Sequence, residues 1–194
     1  MNALLGNQKK GLMFIISAPA GAGKTTLAKA LIKEFSDVIA GISYTTRLPR
    51  LGEMHGKDYF FVTEDEFQKR IFSANFLEHV QLHGIHYGTS KQWVNQRLEE
   101  GKHVLLVIDT QGAMQLKDEL AAVFIFIHPP SLEVLHKRLL NRGSEEPEMI
   151  EKRMEWAKVE LQAANHYDYQ IVNDKLDTAY EVLRSILIAE CHRS

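Results

Sequence analysis

Four near-continuous apolar runs punctuate the chain, at residues 12–17, 103–108, 122–128 and 169–172. They are rich in Val, Ile and Phe and do not alternate with polar residues, the pattern of strands buried on both faces of a parallel sheet. Between them the period becomes helical. Leu27, Leu31 and Phe35 fall at i, i+4 and i+8, and Leu176, Tyr180, Leu183 and Leu187 at i, i+4, i+7 and i+11. Ser131 is placed to cap a helix over 132–142, and Pro147 suits the first turn of a long helix running to 164. Strands alternating with helices through short connections predict an α/β fold, a doubly wound parallel sheet.

Residues 41–88 break that rhythm. Short β-like stretches at 42–45, 59–62 and 75–82 surround one helix over 64–73, where Thr63 and Glu66 have the spacing of a capping box. This reads as a small mixed insertion hung on the core. A second appendage is the Arg-rich stretch from Arg138 to Arg153, with Gly143 at its bend. The expected division is a core of about 11–40, 98–137 and 159–190, an insertion of about 41–97 and a lid of about 138–158.

Composition narrows the class. A chain of 194 residues, 45% hydrophobic and 25% charged, suits one ordinary globular domain. The single cysteine, Cys191, rules out an intramolecular disulfide and suits a reducing cytoplasm, the expected location. The longest apolar run, 120–127, is far short of the roughly 20 residues that span a bilayer. A net charge of -2 argues against a general nucleic-acid coat. Lys9 and Lys10, the apolar stretch 12–16 and Ala18-Pro19-Ala20 superficially resemble a secretory signal. A glycine-lysine loop comes directly after them, so a buried first strand is the better reading.

That loop carries the strongest chemical signal. Ala18-Pro19-Ala20-Gly21-Ala22-Gly23-Lys24-Thr25 lies between a predicted strand and a predicted helix and fits the phosphate-loop pattern. Gly21 and Gly23 let the backbone turn its N–H groups around an anion, and the following helix adds its positive end. Lys24 would reach the β- and γ-phosphates, and the Thr25 hydroxyl is placed for Mg²⁺. In the insertion, Arg47 and Arg50 stand three apart in a Pro- and Gly-containing loop, which favours a planar clamp for an anion.

The blocks Ser43-Tyr44-Thr45-Thr46-Arg47-Leu48-Pro49-Arg50-Leu51-Gly52-Glu53, Gly56-Lys57-Asp58-Tyr59-Phe60-Phe61-Val62, Phe76-Leu77-Glu78 and Tyr87-Gly88-Thr89-Ser90 complete the picture. With the phosphate loop before them, they resemble the guanylate kinases, which phosphorylate GMP with ATP, over nearly the whole chain. The resemblance implies that Arg47, Arg50, Tyr59 and Tyr87 hold the monophosphate, that Ser43, Glu78 and Thr89 read the base, and that Asp109 belongs to the same GMP site. It implies that residues Ala18 to Thr25, with Thr26, bind ATP, and that Lys24, Arg47, Arg138, Arg142 and Arg153 act on the transferring phosphates, Arg142 also near the adenine. Asn173 matches the family's loop beside that base, although an Asn-Asp pair is also a common helix cap. The chemistry agrees: guanine presents N1–H and N2–H₂ side by side, and one carboxylate, Glu78, can accept both.

Two positions depart from the family. Ala20 replaces a serine of the loop, and Val107 stands where an aspartate is usual, leaving Asp109 to orient the Mg²⁺ shell alone. The implied partners are ATP with Mg²⁺ and GMP, with no nucleic acid and no membrane, in a monomer or weak homo-oligomer. The alternatives are a monophosphate kinase for AMP, dTMP or UMP and a silent interaction module of the same family; a GTPase lacks its Asn-Lys-x-Asp motif here. His79, His83 and His86 read as polar surface residues rather than metal ligands. Phe60, Phe61 and Trp93 read as core, and Cys191 as non-catalytic.

Overall fold

A computed structural model describes residues 3–6, 9–82, 84–142 and 146–193. Its strands are β1 (Met13–Ser17), β2 (Val38–Ala40), β3 (Ser43–Thr45), β4 (Phe60–Phe61), β5 (Phe76–Leu82), β6 (Ile85–Ser90), β7 (His103–Val107), β8 (Val123–His128) and β9 (Tyr169–Val172). The helices are α1 (Lys24–Glu34), α2 (Glu64–Phe72), α3 (Lys91–Glu99), α4 (Thr110–Leu116), α5 (Leu132–Arg142), α6 (Pro147–Gln162) and α7 (Leu176–Cys191).

The central sheet is parallel throughout, in the order β2-β7-β1-β8-β9. Successive side chains of its inner strands go to opposite faces, and each face is covered. Phe14, Ile16, Leu105, Ile125 and Ile127 meet Leu27, Leu31 and Phe35 of α1 and Leu183 and Leu187 of α7. Met13, Ile15, Val104, Leu106, Phe124 and Phe126 meet Val94 and Leu98 of α3 and Ala113 and Leu116 of α4. The chain winds from β1 to one side and, at β8, to the other. A ligand crevice belongs at such a reversal, beyond the carboxyl end of β1.

The second sheet, in the order β4-β3-β6-β5, is mixed. Its aromatic packing explains Gly88: a Cβ there would lie 3.1 Å from both the Phe67 and Phe76 rings. Thr63 caps α2 by accepting from the Glu66 backbone N–H at 3.2 Å, but Glu66 turns its carboxylate to Arg70 at 2.8 Å instead of closing the box. A third apolar cluster joins α5 to α6 through Leu135, Leu139, Ile150, Met154 and Ala157, with Ala20 of the phosphate loop packed against it.

Four elements, β2, β6, α3 and α4, were not anticipated. Leu176, expected in the buried stripe of α7, is exposed at the helix's first turn, and Ala179 and Ile186 share the stripe with Leu183 and Leu187. The long helix ends at Gln162 and continues as a 3-10 turn, Ala163–His166. Phe60, Phe61 and Trp93 are half-buried rather than core. His86 is not a surface residue: it lies 5.1 Å from the Phe67 ring and 3.0 Å from Glu64. His83 and Gly143 lie outside the described residues. Among those that are described, no helix is long and apolar enough to cross a membrane.

Gly11 leads into β1 where the chains nearly touch: a Cβ there would sit 1.8 Å from the Lys102 carbonyl oxygen. Forcing these backbones apart costs about 1–3 kcal/mol. Gly11→Ala should therefore lower Tm by roughly 2–12 °C in a thermal melt, at a position with no ligand role.

Candidate active site

The phosphate loop is shaped by contacts from far along the sequence. Gly21 (φ 91°) and Gly23 (φ 97°) both adopt the left-handed backbone that glycine reaches without strain. Space demands glycine as well. A Cβ on Gly23 would lie 2.2 Å from the Asn173 amide nitrogen, and one on Gly21 would lie 3.1 Å from Leu135 and Leu139. The Asn173 Nδ2 donates to the Ala22 carbonyl at 2.8 Å, tying the loop to the end of β9. Its Oδ1 is buried without a hydrogen-bond partner among the described residues. Ala20, where the family has a serine, contributes to the apolar contact with α5 and α6.

Lys24 begins α1 and donates to the Ile108 carbonyl at 3.3 Å. Burial pulls its ammonium below the ordinary lysine range, while Glu160 and Asp109 oppose that shift. Thr25 and Thr26 are exposed on the first turn of α1. Asp109 caps α4, its Oδ1 accepting from the Gln111 and Gly112 N–H groups at 2.8 and 3.1 Å. Among the described residues its Oδ2 makes no hydrogen bond. Val107 packs against the first core cluster.

Beside the loop, Gly21, Gly23, Thr26, Arg138, Asn141, Asn173, Asp174 and Leu176 line a cleft of about 410 Å³. Arg138 donates from Nη2 to the Asn173 carbonyl at 3.0 Å. Arg153, half-buried on α6, lies within the field of Glu160; the side chain of Arg142 lies outside the described residues.

The insertion presents two adjacent groups. In the first, Glu78 is 3% exposed on β5 and accepts from the Thr89 hydroxyl at 2.5 Å. Burial pushes its carboxyl up to about 7; the Thr89 bond opposes and the Asp109 charge adds. Its other oxygen abuts Gly112, where a Cβ would come within 2.7 Å. Ser43 is paired with Thr89 across the antiparallel ladder. A carboxylate buried with donors from Thr89 alone, and no cation beside it among the described residues, is costly unless a ligand supplies further donors.

In the second group, the Arg47 guanidinium lies 5.3 Å from the Tyr59 ring and 5.8 Å from the Phe61 ring. The Tyr59 and Tyr87 rings are 6.1 Å apart. Arg50, exposed, is close enough to Tyr59 to act on its hydroxyl electrostatically. The structure thus assembles Arg47, Arg50, Tyr59 and Tyr87 around one place, and Ser43, Glu78 and Thr89 around another.

Sequence reasoning missed three residues. Asn141 follows Arg138 by one helical turn into the cleft. Glu53 pairs with Arg47 at 2.9 Å. Glu160 shares with Arg153 and Ala157 a face of α6, and burial pushes its carboxyl up to about 7, partly offset by Lys24 and Arg153. The i, i+4, i+7 spacing of 153, 157 and 160 was a signal for Glu160. Nothing local announced the others.

Comparison with known proteins agrees with this architecture. The guanylate kinase family model matches residues 10–190. A guanylate kinase of Protochlamydia amoebophila is 61% identical over 97% of this chain and 95% of its own length. One of Chlamydia trachomatis serovar D is 53% identical, over 93% of this chain and 89% of its own. The crystal structure of guanylate kinase from Anaplasma phagocytophilum superposes with a TM-score of 0.79 at 31% identity, covering 96% of this chain and 89% of that one. With sequence, fold and loop geometry in accord, this chain belongs to the guanylate kinase family.

Proposed function

We propose that the protein transfers the γ-phosphoryl of ATP to GMP, giving ADP and GDP. The observation that carries the acceptor is Glu78. It is a buried carboxylate short of donors, beside Thr89 and Ser43, and the adjacent N1–H and N2–H₂ of guanine supply what it lacks. Adenine and the pyrimidines of UMP and dTMP offer no such pair. Sites built on such bonds reject an analogue without them by about 10⁴-fold or more. Arg47, Arg50, Tyr59 and Tyr87 take the monophosphate.

ATP lies with its phosphates in the loop from Ala18 to Thr25 and its adenine in the cleft beside Thr26, Arg138, Asn141 and Asn173. The unpartnered Asn173 Oδ1 suits the exocyclic amine of adenine. Residues 41–97 form the acceptor-binding insertion, with α3 packed back on the core sheet, and residues 138–158 form the lid.

In the transfer, an anionic oxygen of the GMP phosphate attacks the γ-phosphorus as its bond to the ADP oxygen breaks, in line. No general base is needed because the attacking oxygen already carries charge. Catalysis is positioning and charge compensation by Lys24, Arg47, Arg138, Arg142 and Arg153. Mg²⁺ bound with ATP would supply further charge neutralisation, and Thr25 and Asp109 would hold it. The donors here, the Thr25 hydroxyl and the uncommitted Asp109 Oδ2, are the hard oxygens it takes, directly or through water. The lone, buried Cys191 fits a reducing cytoplasm as the site of action.

The direct test is ATP-dependent GDP formation, with AMP, dTMP and UMP as competing acceptors. GMP should be turned over and the others left nearly untouched; equal use of AMP would overturn the reading.

Glu78 also predicts a pH dependence. Its carboxyl is raised in the empty protein, so below about 7 it is increasingly protonated and presents a donor to guanine's donors. Affinity for GMP should rise with pH up to about 7 and then level. Glu78→Gln should raise the KM for GMP by roughly 30-fold, from about 2 kcal/mol of lost charged hydrogen bonding. It should also flatten that part of the profile, leaving only the titration of the GMP phosphate.

Asp109→Asn tests the other carboxylate. Asparagine caps helices as well as aspartate does, so Tm should hold. Turnover should fall about tenfold or more and need more Mg²⁺ for saturation, as expected when one oxygen near the metal loses its charge. Unchanged turnover and Mg²⁺ dependence would remove Asp109 from the mechanism.

A further inference from the structure

The loop between β3 and β4 contains an arrangement that phosphate binding alone does not explain. Residues Arg50-Leu51-Gly52-Glu53 form a tight turn in which the Glu53 N–H donates to the Arg50 carbonyl at 3.0 Å and Gly52 takes φ 86°. The turn throws the Glu53 carboxylate back over its own start. There Oε2 accepts from the Arg50 N–H at 2.7 Å and from Arg47 Nη1 at 2.9 Å, and Oε1 accepts from Arg47 Nη2 at 2.9 Å. Arg47 Nη1 also donates to the Leu48 carbonyl at 2.8 Å.

The donor inventory of Arg47 decides what this does. A guanidinium has five N–H bonds in a plane, two on each terminal nitrogen and one on Nε. Both on Nη1 are taken, by Glu53 and Leu48, and one on Nη2 is taken by Glu53. What remains is Nε–H and the second N–H of Nη2, which lie parallel along one edge. That edge is a second bidentate fork, the geometry that suits two phosphate oxygens. The Tyr87 side chain hydrogen-bonds the same guanidinium and so shares that edge, and Tyr59 and Phe61 support its face.

We infer that Glu53 is a positioning residue for the acceptor phosphate: by holding the terminal fork of Arg47 and the backbone of Arg50, it aims the remaining edge of Arg47, beside Tyr87, at the phosphate before GMP arrives. The inference rests on the reading of Arg47 as a GMP ligand. Two opposing effects are in play. The carboxylate adds a negative charge near the incoming phosphate, which weakens attraction. It also removes the rotameric freedom of one of the most flexible side chains, which would otherwise be lost on binding. The pair is largely shielded, the side chains being 12% and 21% exposed, so a persistent, bidentate lock is expected rather than a fluctuating surface contact.

The test is a cycle of Arg47→Ala, Glu53→Ala and the double variant, with Glu53→Gln as the near-isosteric control. Each is measured for the KM of GMP, the KM of ATP, kcat, Tm and the affinity for guanosine, which lacks the phosphate. Glu53→Ala and Glu53→Gln should raise the KM for GMP about tenfold, change kcat less than about threefold, and leave guanosine affinity and the KM for ATP unchanged. The double variant should match Arg47→Ala. An unchanged KM for GMP in both Glu53 variants overturns the inference. So does a lower KM, which would make Glu53 a competitor of the phosphate. An equal loss of guanosine affinity or an effect undiminished in the Arg47→Ala background would make the role merely structural, and also overturns it. If Arg47→Ala itself leaves the KM for GMP unchanged, the site reading fails first, and the two failures are told apart.

Discussion

Two phosphate chains can meet only where positive charge is already held in place. At 4 Å, one pair of unit charges interacts by about 4 kcal/mol in the environment of a protein surface, and several such pairs act at once when a nucleoside triphosphate approaches a monophosphate. Cations on free, solvated side chains compensate poorly, because each must be ordered at the moment of need. Here the fold orders them beforehand. Lys24 leans on the Ile108 carbonyl, Arg138 on the Asn173 carbonyl and Arg47 on Glu53. Each is held by the protein itself, as the proposed transfer requires.

The same division of contacts governs the loop that cradles the donor. Its two left-handed glycines are not only permissive turns; each lies where a side chain from another element leaves no room for a methyl group. Polar contact comes from Asn173 and apolar contact from Leu135 and Leu139. The serine that Ala20 replaces would put a hydroxyl toward the apolar cluster of α5 and α6, so the departure from the family has a packing logic. Helices α5 and α6 thus meet the phosphate loop through aliphatic surface.

How much of this was legible beforehand depends on how far apart the cooperating residues are. The buried strands β1, β7, β8 and β9 were visible because double-sided burial leaves an unbroken apolar run. By contrast, β6 carries His86 and Gly88, which have weak strand preference and stay in place because β3 and β5 flank them. Likewise α4 includes Gly112, a poor helix former that is required where Glu78 approaches. The loop from Ala18 to Thr25 was legible because its chemistry is contiguous. Glu53 was in plain view among the motif residues, but its partnership with Arg47 depends on a turn whose geometry no spacing rule supplies. Glu160 acquires its meaning only when α6 is laid beside Lys24. Leu176 misled because a helical period says nothing about where the covered length of a helix begins.

One consequence concerns the order in which such a protein becomes functional as it is made. The hydrogen bond that ties Asn173 to Ala22 spans 151 positions of sequence. The phosphate loop precedes β9 in the sequence, yet it acquires this fastening only after β9 has been synthesised and has docked. A nascent chain therefore carries the recognisable motif before the contact that fastens it can form.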